Sequence, residues 1–410
     1  GRPPASASWS SVAEYLSMFD NKVAVNICYI LGNAPVRIWS VGWNDRPATG
    51  DELEDMKAVV REAMEEGAFG LSTGLDYPPG SFADTNELIA LSKVVASMGG
   101  FYHTHTRASL RQKGLLAPWE EALDIGRGSG IPVHLTHYRQ GAQGVGSHLD
   151  YLGLVENARD EGMDVTFDCY PYVYSGTRAI GFLPQWTQDG GPERLKEAIA
   201  SRADRDRIRD EIDPGRGRRN ATETWLTNFE KPHNQQYDSL SLTEIARMRG
   251  QDEVDALCDL LLDDGLHVTM VGVGTNAQTL PAFVSHPCGM VGSDAVLLGE
   301  YPSPRTYGCF PIILAEFVRA ERQLQLPEAI RKMTSFPAQR LGLRDRGILR
   351  DGMKADIVVF NPDTVKAPAT KAQPKQFPLG IPYVIVNGQV VVDNGDHTGA
   401  TPGRGLRHGQ

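Results

Sequence analysis

The sequence has few cysteines, and none of them are closely spaced. The five are Cys28, Cys169, Cys258, Cys288 and Cys309, and no CxxC motif occurs. An odd number of widely separated cysteines argues against a disulfide framework and is typical of free thiols in a reducing compartment. We therefore expect a cytoplasmic protein.

The sequence also lacks long apolar runs and an excess of basic charge. No stretch approaches the ~20 apolar residues that a transmembrane helix needs, and no signal-peptide pattern opens the chain. Lys and Arg number 41 against 51 Asp and Glu, a formal net charge of −10. Nucleic-acid binders show a clustered basic excess instead. We therefore expect neither a membrane protein nor a nucleic-acid-binding one.

The 410 residues show a repeated alternation of amphipathic helices and short apolar strands. A helix is predicted from about 52 to 66, with Thr49 and Glu52 as a capping-box pair, and Asp84 and Glu87 open the next helix in the same way. The strands are rich in β-branched residues, as is typical of parallel strands covered on both faces. The pattern predicts βα units in one sheet, either a (β/α)₈ barrel or a doubly wound sheet.

Polar residues follow the ends of several different strands, which favours the barrel. They are His105, His137, Asp168 and Asp294. In a TIM barrel the carboxyl ends of all strands converge on one face. A doubly wound sheet often has a Gly-rich phosphate loop at its switch point, and neither GxGxxG after a strand nor GxxxxGK[ST] occurs here. We therefore predict an α/β protein with a TIM-like (β/α)₈ barrel.

Two further regions complete the predicted organisation. Residues from about 177 to 265 are rich in Arg, Asp and Asn and predict an irregular insertion, either a solvated segment or a lid over the strand ends. Near the end of the chain, YVIVNGQVVV predicts a β-hairpin that turns at Asn387 and Gly388. We predict a barrel domain over residues 1–343 and a β-sandwich portion over residues 344–410.

Histidines cluster in two of the predicted strands. In FYHTHTR, His103 and His105 lie on the same side of an extended chain. In IPVHLTH, alternation counted back from His137 places His134 on the opposite side. We therefore interpret His137 as a site residue and His134 as a packed or surface histidine.

Two imidazoles and a carboxylate from three strand ends, namely His105, His137 and Asp294, suit a zinc ion. Zinc would activate water for hydrolysis, and Asp294 could carry the proton to the leaving group. The spacing alone also allows a chance grouping of structural histidines and an aspartate.

The chain resembles the D-aminoacylase (N-acyl-D-amino-acid deacylase) family of the amidohydrolase superfamily from about Asn26 to about Arg404. The resemblance is carried by stretches that include GAFGLSTGLDYPPGSF, GGFYHTHTR, IPVHLTHYR, VTFDCYPY, MVGSDA and PSPRTYGCFP. It implies an amidohydrolase barrel with one or two Zn²⁺ ions that deacylates N-acyl-D-amino acids by a zinc-activated water. Hydrolysis of another amide, a cyclic imide or an ester stays open, as does a catalytically reduced or partner-dependent subunit.

The resemblance also implies residue roles. His105 and His137 are zinc ligands, and Asp294 is the general base, which can also contact metal. The residues that the resemblance places around the substrate are Arg139, on its carboxylate, and Tyr77, Tyr172 and Arg305.

The sequence departs from the family pattern at several positions. His103 stands where the family has a small residue, and we expect it to line the pocket, support a ligand or act as an occasional ligand. Arg178 stands where the family has glycine, and it could favour a substrate with an acidic side chain.

The family's first metal motif, HxH or HxD, and its zinc-binding cysteine lie upstream of where this chain begins, together with the first barrel strands. Three explanations are open: a partner polypeptide from the same precursor supplies these residues, the sequence is truncated, or the protein has a reduced metal site. Seven stretches of the sequence are candidate barrel strands, and two missing strands would make nine, one more than a barrel has. One of the seven, HVTMVGV, is therefore expected to lie outside the barrel. The expected partners are a small-molecule substrate and such an N-terminal chain, and an oligomer is left open.

Overall fold

The computed structural model describes residues 9–212 and 220–409. The strands are β1 (Ile27–Cys28), β2 (Leu31–Gly32), β3 (Gly70–Gly74), β4 (Phe101–His105), β5 (Val133–Leu135), β6 (Val165–Cys169), β7 (Tyr174–Arg178), β8 (Thr224–Thr227), β9 (Thr269–Val273), β10 (Gly289–Val291), β11 (Ile357–Val359), β12 (Tyr383–Val386), β13 (Gln389–Asp393), β14 (Asp396–His397) and β15 (Gly405–Leu406).

The α-helices are α1 (Val12–Ser17), α2 (Asn33–Ser40), α3 (Gly50–Glu65), α4 (Thr85–Ser97), α5 (Ala117–Ser129), α6 (His148–Asp160), α7 (Pro192–Ala200), α8 (Arg202–Glu211), α9 (Leu242–Arg249), α10 (Glu253–Asp263), α11 (Leu280–Ser285), α12 (Arg305–Ile312), α13 (Leu326–Met333) and α14 (Ser335–Arg340). A π-helix, Ile313–Ala320, continues α12. Short 3₁₀ turns span Gly80–Phe82, Ala108–Gln112, Ala179–Phe182, Gln185–Gln188, Ala221–Glu223 and Gln235–Tyr237.

Within the described residues, six parallel strands form the central sheet, in the order β10, β6, β5, β4, β3, β2. Helices α2 to α6 connect β2 through β6, so the chain alternates between strand and helix. The strands follow one another across the sheet without the reversal that defines a doubly wound fold. This confirms the βα barrel architecture, here with β2 and β10 at the two edges of the sheet.

The predicted helix starts are confirmed, with one difference. At α3 the side chain of Thr49 accepts the Glu52 N–H and Glu52 accepts the Thr49 N–H, a complete capping box. At α4 the side chain of Asp84 accepts the Glu87 N–H, but the Glu87 carboxylate forms an ion pair with the buried Arg37 instead of returning to the cap. None of the helices in the described ranges combines the length and apolar character that crossing a membrane requires.

The main hydrophobic core lies between the parallel sheet and the helices that cover it. Leu71, Val133 and Phe167, one from each of three strands, are fully buried in it. Gly70 begins β3 where a side chain has no room, because a Cβ there would lie 2.1 Å from the carbonyl oxygen of Phe101. The absence of a side chain at Gly70 thus lets β3 and β4 pair closely.

The segment predicted as an irregular insertion is regular in its described part. Strands β7, β9 and β8 form an antiparallel sheet, and helices α7 to α10 surround a hydrophobic core of their own. The irregular insertion was predicted from charged residues, and these lie outside that core. Arg205, for example, forms ion pairs with Asp255 and Asp259. The stretch HVTMVGV carries β9 and lies outside the barrel sheet, as expected.

The C-terminal strands β11 to β14 form an antiparallel sheet. The predicted hairpin is confirmed, and Asn387 and Gly388 between β12 and β13 have φ values of 49° and 82°, as a type I′ two-residue turn requires. The chain then returns to the N-terminal region, where β15 pairs with β1.

Candidate active site

The carboxyl ends of the barrel strands open into a cavity of about 1670 Å³. The polar residues from five strand ends that line it are Asp76 after β3, His105 at the end of β4, His137 after β5, Asp168 in β6 and Asp294 after β10. Because parallel strands end at the same edge of a sheet, residues far apart in sequence meet there. The sequence therefore builds one polar site from separate βα units.

His105 and His137 face each other in this cavity. Their Nδ1 and Nε2 atoms lie 2.8 Å apart, and the other nitrogen of His105, Nε2, lies 3.0 Å from Oδ2 of Asp76. Burial, followed by the electrostatic influence of the neighbouring His105 and Arg139, holds the pKa of His137 well below its ordinary value. His137 is therefore a neutral imidazole that can offer a lone pair.

The His105–His137 pair fits a zinc ion. Tetrahedral zinc with Zn–N bonds of 2.0–2.1 Å separates two ligand nitrogens by about 3.3 Å, so the pair needs to open by only about half an ångström. A metal-binding histidine usually donates its second ring N–H to a carboxylate, which fixes its tautomer. Asp76 holds that position against His105, and its Oδ1 also accepts the N–H of Ala108 at 2.7 Å.

Asp294 lines the same cavity, and its backbone conformation is unusual. Its φ is 45°, in the region that non-glycine residues rarely adopt, and its Oδ2 lies 2.7 Å from Nη2 of Arg305. Removal of water by the cavity walls raises the pKa of Asp294 above its ordinary value, although the charge of Arg305 opposes this. Such a carboxylate is suited to accept a proton during a reaction near neutral pH.

The residues predicted to bind substrate fall into two groups. Arg139, Tyr77 and Arg178 line the cavity, whereas Arg305 and Tyr172 are not among its lining residues. Arg305 is fully buried and reaches the site through its ion pair with Asp294. The hydroxyl of Tyr172 is buried and has no hydrogen-bond partner among the described residues.

The cavity-lining substrate residues are held by specific contacts. Arg139 donates from Nε to the Thr275 hydroxyl at 2.6 Å, and its guanidinium stacks 4.4 Å from the ring centre of Tyr170. The Tyr77 hydroxyl lies 3.1 Å from that of Thr177. Of the two tyrosines in DCYPY, Tyr170, which the sequence did not single out, lines the cavity and Tyr172 does not.

A second histidine group lies deeper in the barrel. His103, His134 and Asp168 bring their ligand atoms within 4.8 Å of one another. Burial, followed by the neighbouring His134, lowers the pKa of His103 to about 4. Burial alone would raise the pKa of Asp168, but the hydrogen bond from His134 and the electrostatic influence of that ring outweigh it and hold the pKa below its ordinary value.

His134 is buried, as the packed interpretation predicted, but the sequence did not predict its contacts with His103 and Asp168 or the place of Asp76 beside His105. Strand alternation was counted through His137, but His137 lies beyond β5 with a φ of 39°, where the alternation of an extended chain no longer holds. Like Asp294, Asp76 is a carboxylate that comes just after a buried strand. The same pattern would therefore have predicted it.

The chain is similar in sequence to known proteins over nearly its whole length. A sequence model described as the amidohydrolase family matches residues 40–392. N-acyl-D-glutamate deacylase of Alcaligenes xylosoxydans xylosoxydans is 33% identical over 386 residues, which cover 93% of this chain and 70% of that protein. D-aminoacylase of the same organism is 32% identical over 398 residues, covering 96% and 73% respectively.

Solved structures agree with the sequence comparison. A crystal structure of D-aminoacylase has a TM-score of 0.79 at 28% identity and covers 99% of this chain and 79% of that chain. N-acyl-D-glutamate deacylase from Bordetella bronchiseptica, complexed with zinc and a phosphonate mimic of the tetrahedral intermediate, has a TM-score of 0.82 at 29% identity, covering 99% and 76%. The resemblance to the D-aminoacylases is confirmed, and the chain belongs to the amidohydrolase family.

Proposed function

We propose that the chain is a zinc-dependent hydrolase that removes the acyl group from N-acyl-D-amino acids. The observation that carries this proposal is the apposition of His105 Nδ1 and His137 Nε2 at 2.8 Å in the cavity that also holds Asp294. The relatives and solved structures named above, which act on such substrates or contain zinc, support the same activity.

His105 and His137 would hold the zinc ion, which supplies an electrophile for the acyl carbonyl and a more acidic water. Asp294 accepts the proton of the attacking water at its carboxylate and delivers it to the nitrogen of the leaving amino acid. Arg305 orients the Asp294 carboxylate through their 2.7 Å ion pair. Asp76 keeps the His105 ring in place from its far side.

The cavity offers positive charge for an amino-acid substrate. Arg139 binds the substrate carboxylate, and Tyr77, whose ring centre lies 5.1 Å from that of His105, packs beside the scissile amide. Arg305 and Tyr172 lie behind the cavity wall. Arg305 acts through its ion pair with Asp294, and Tyr172 supports the wall itself. Arg178, at the exposed end of β7, faces the side chain of the substrate and favours an acidic one.

Two finer points belong to this proposal. The protein works in the cytoplasm, which the five free cysteines support. A partner chain from the same precursor would pair with β2 and β10, which are the two edges of the described sheet. Strand edges with unpaired backbone groups favour such pairing.

The test is hydrolysis of N-acetyl-D-methionine, N-acetyl-D-glutamate and N-acetyl-D-aspartate by the purified zinc-loaded chain, with the L-enantiomers and a hydantoin beside them. We expect release of the D-amino acids, and a fall in kcat of about 100-fold to 10,000-fold in Asp294→Asn, the range that general acid–base catalysis supplies. His397→Ala, in the exposed C-terminal sheet, is the control. Hydrolysis of the hydantoin alone, or full activity in a folded Asp294→Asn variant, would contradict the proposal.

A further inference from the structure

The register of the barrel sheet places two histidines side by side below the candidate active site. His103 of β4 is the direct partner of His134 of β5, and His134 is the direct partner of Thr166 of β6. Register partners in a parallel sheet point to the same face. The two rings therefore stack, with centres 5.3 Å apart and an interplanar angle of 9°.

Asp168 completes this group from β6. Its Oδ2 lies 2.9 Å from Nε2 of His134 and 4.0 Å from Nε2 of His103. These two distances bracket the separation of about 3.3 Å that ligands of a tetrahedral zinc ion require. All three ligand atoms lie within 4.8 Å of one another, so a movement of the His103 ring by up to about 1.5 Å would bring them to the spacing of zinc ligands.

The contacts around His134 and Asp168 favour the binding of a metal ion. Nδ1 of His134 lies 2.8 Å from the Thr166 hydroxyl, which can accept an N–H there and leave Nε2 free for a metal. Gly292 makes room for the carboxylate, because a Cβ at this position would lie 2.8 Å from Cγ of Asp168. The side chains of His103 and Asp168 are 32% and 15% exposed and line the cavity, so a cation can reach them.

We propose that His103, His134 and Asp168 form a separate binding site for a divalent transition-metal ion such as Zn²⁺. Two imidazoles and one carboxylate are ligands that zinc and its neighbours prefer, and three protein ligands leave one position open to the cavity. The site is distinct from the His105–His137 pair because His103 and His105 are two residues apart on β4, about 6.6 Å along the strand. It does not depend on the proposed deacylase activity.

Asp168 connects the two metal positions. Its Oδ2 belongs to the deeper site, while its Oδ1 accepts the backbone N–H of His137 at 2.8 Å. An ion at His103, His134 and Asp168 thereby fixes the carboxylate that positions His137. The site at His103, His134 and Asp168 therefore stabilises the His105–His137 site and does not itself take part in the reaction.

The experiment measures metal content in the full chain. Protein freed of metal with a chelator is loaded with Zn²⁺ or Co²⁺, desalted and analysed by mass spectrometry of metals and by the visible spectrum of the cobalt form. The variants are His103→Ala and His134→Ala against His105→Ala and His137→Ala, with the exposed His397→Ala as control. His103→Ser and His134→Gln, which keep polar atoms in place, serve if an alanine variant fails to fold.

We expect about one equivalent of metal, with its cobalt absorption band, to be lost in the His103 and His134 variants and kept in the His105 variant. A folded His134→Gln variant that keeps the full metal content of the wild-type chain would overturn the proposal. So would a single equivalent lost in all four histidine variants, which would mean one shared ion, or a wild-type chain that binds none.

Discussion

The carboxylate of Asp168 accepts the backbone N–H of His137 at 2.8 Å. This contact crosses from β6 to the residue just past β5, where the backbone of His137 has a φ of 39°. A non-glycine residue in that region costs about 1–3 kcal/mol, and the hydrogen bond from a neighbouring strand offsets part of this cost. Asp168 thus holds the His137 ring where it faces His105.

Replacement of Asp168 by alanine should destabilise the protein even without metal. Asp168→Ala leaves the His137 N–H and the His134 ring without their acceptor, and each buried group left unsatisfied costs about 1–3 kcal/mol. Asp168→Asn keeps an oxygen for the His137 N–H and should lose less. Urea unfolding in chelator-treated buffer measures both variants, and equal losses would show that the hydrogen bond to His137 contributes nothing.

Removal of the Asp76 carboxylate should weaken zinc binding without unfolding the protein. The contact of 3.0 Å with His105 fixes the ring, and the loss of such an outer partner usually lowers metal affinity about 10-fold to 100-fold. Competition with a chromophoric chelator measures the affinity of Asp76→Ala. Asp396→Asn, an exposed carboxylate in β14, is the matched control. Unchanged affinity in Asp76→Ala would mean that His105 is oriented by other contacts.

A methyl group at Gly292 should displace Asp168, whereas a methyl group at Gly153 should do no harm. Gly292→Ala places a Cβ 2.8 Å from Cγ and Oδ1 of Asp168, and such overpacking costs about 1–3 kcal/mol. Gly153 lies inside α6, and no atom beyond its chain neighbours and the helix backbone around it lies within 4 Å of the added Cβ, so alanine there should stabilise by about 0.5–1 kcal/mol. Chemical denaturation and metal content test the pair; equal behaviour of the two variants would contradict the crowding at Asp168.

Substitution of Arg178 should change substrate preference rather than overall activity. Loss of a charged contact worth about 1.4 kcal/mol corresponds to a tenfold effect, so kcat/KM of Arg178→Ala should fall about tenfold for N-acetyl-D-glutamate and N-acetyl-D-aspartate. The value for N-acetyl-D-methionine should stay near that of the wild type. Arg194→Ala, an exposed arginine of α7 paired with Glu197, controls for the loss of surface charge. An unchanged ratio between acidic and neutral substrates would remove Arg178 from the substrate site.

The local patterns in the sequence predicted local structure well. The capping box of Thr49 and Glu52 and the turn at Asn387 and Gly388 depend on residues within a few positions of one another, so their interactions are the same in any fold. The capping box at Asp84 formed only in part because Glu87 found the buried Arg37, a partner that no local pattern contains.

The sequence predicted those site residues that directly follow a single predicted strand or belong to a stretch shared with the family. His105, His137, Asp294, Arg139 and Tyr77 all line the same cavity, although their roles stay predictions. The contacts of His134 and the place of Asp76 were not predicted, for different reasons. The first depended on where β5 ends, and the second is a carboxylate after β3, a strand end at which no metal-site residue was predicted.

The sequence by itself determined the alternation of helices and strands, the helix starts, the C-terminal hairpin and the family. These follow from hydrophobic period, side chains that cap nearby backbone groups, and long ordered stretches of similarity. Only the tertiary structure decided which residues of different strands face one another: the pairing of His103 with His134 and the reach of Asp168 to both histidine groups. That information lies in strand register and in the positive φ at His137, which are set by packing between segments distant in sequence.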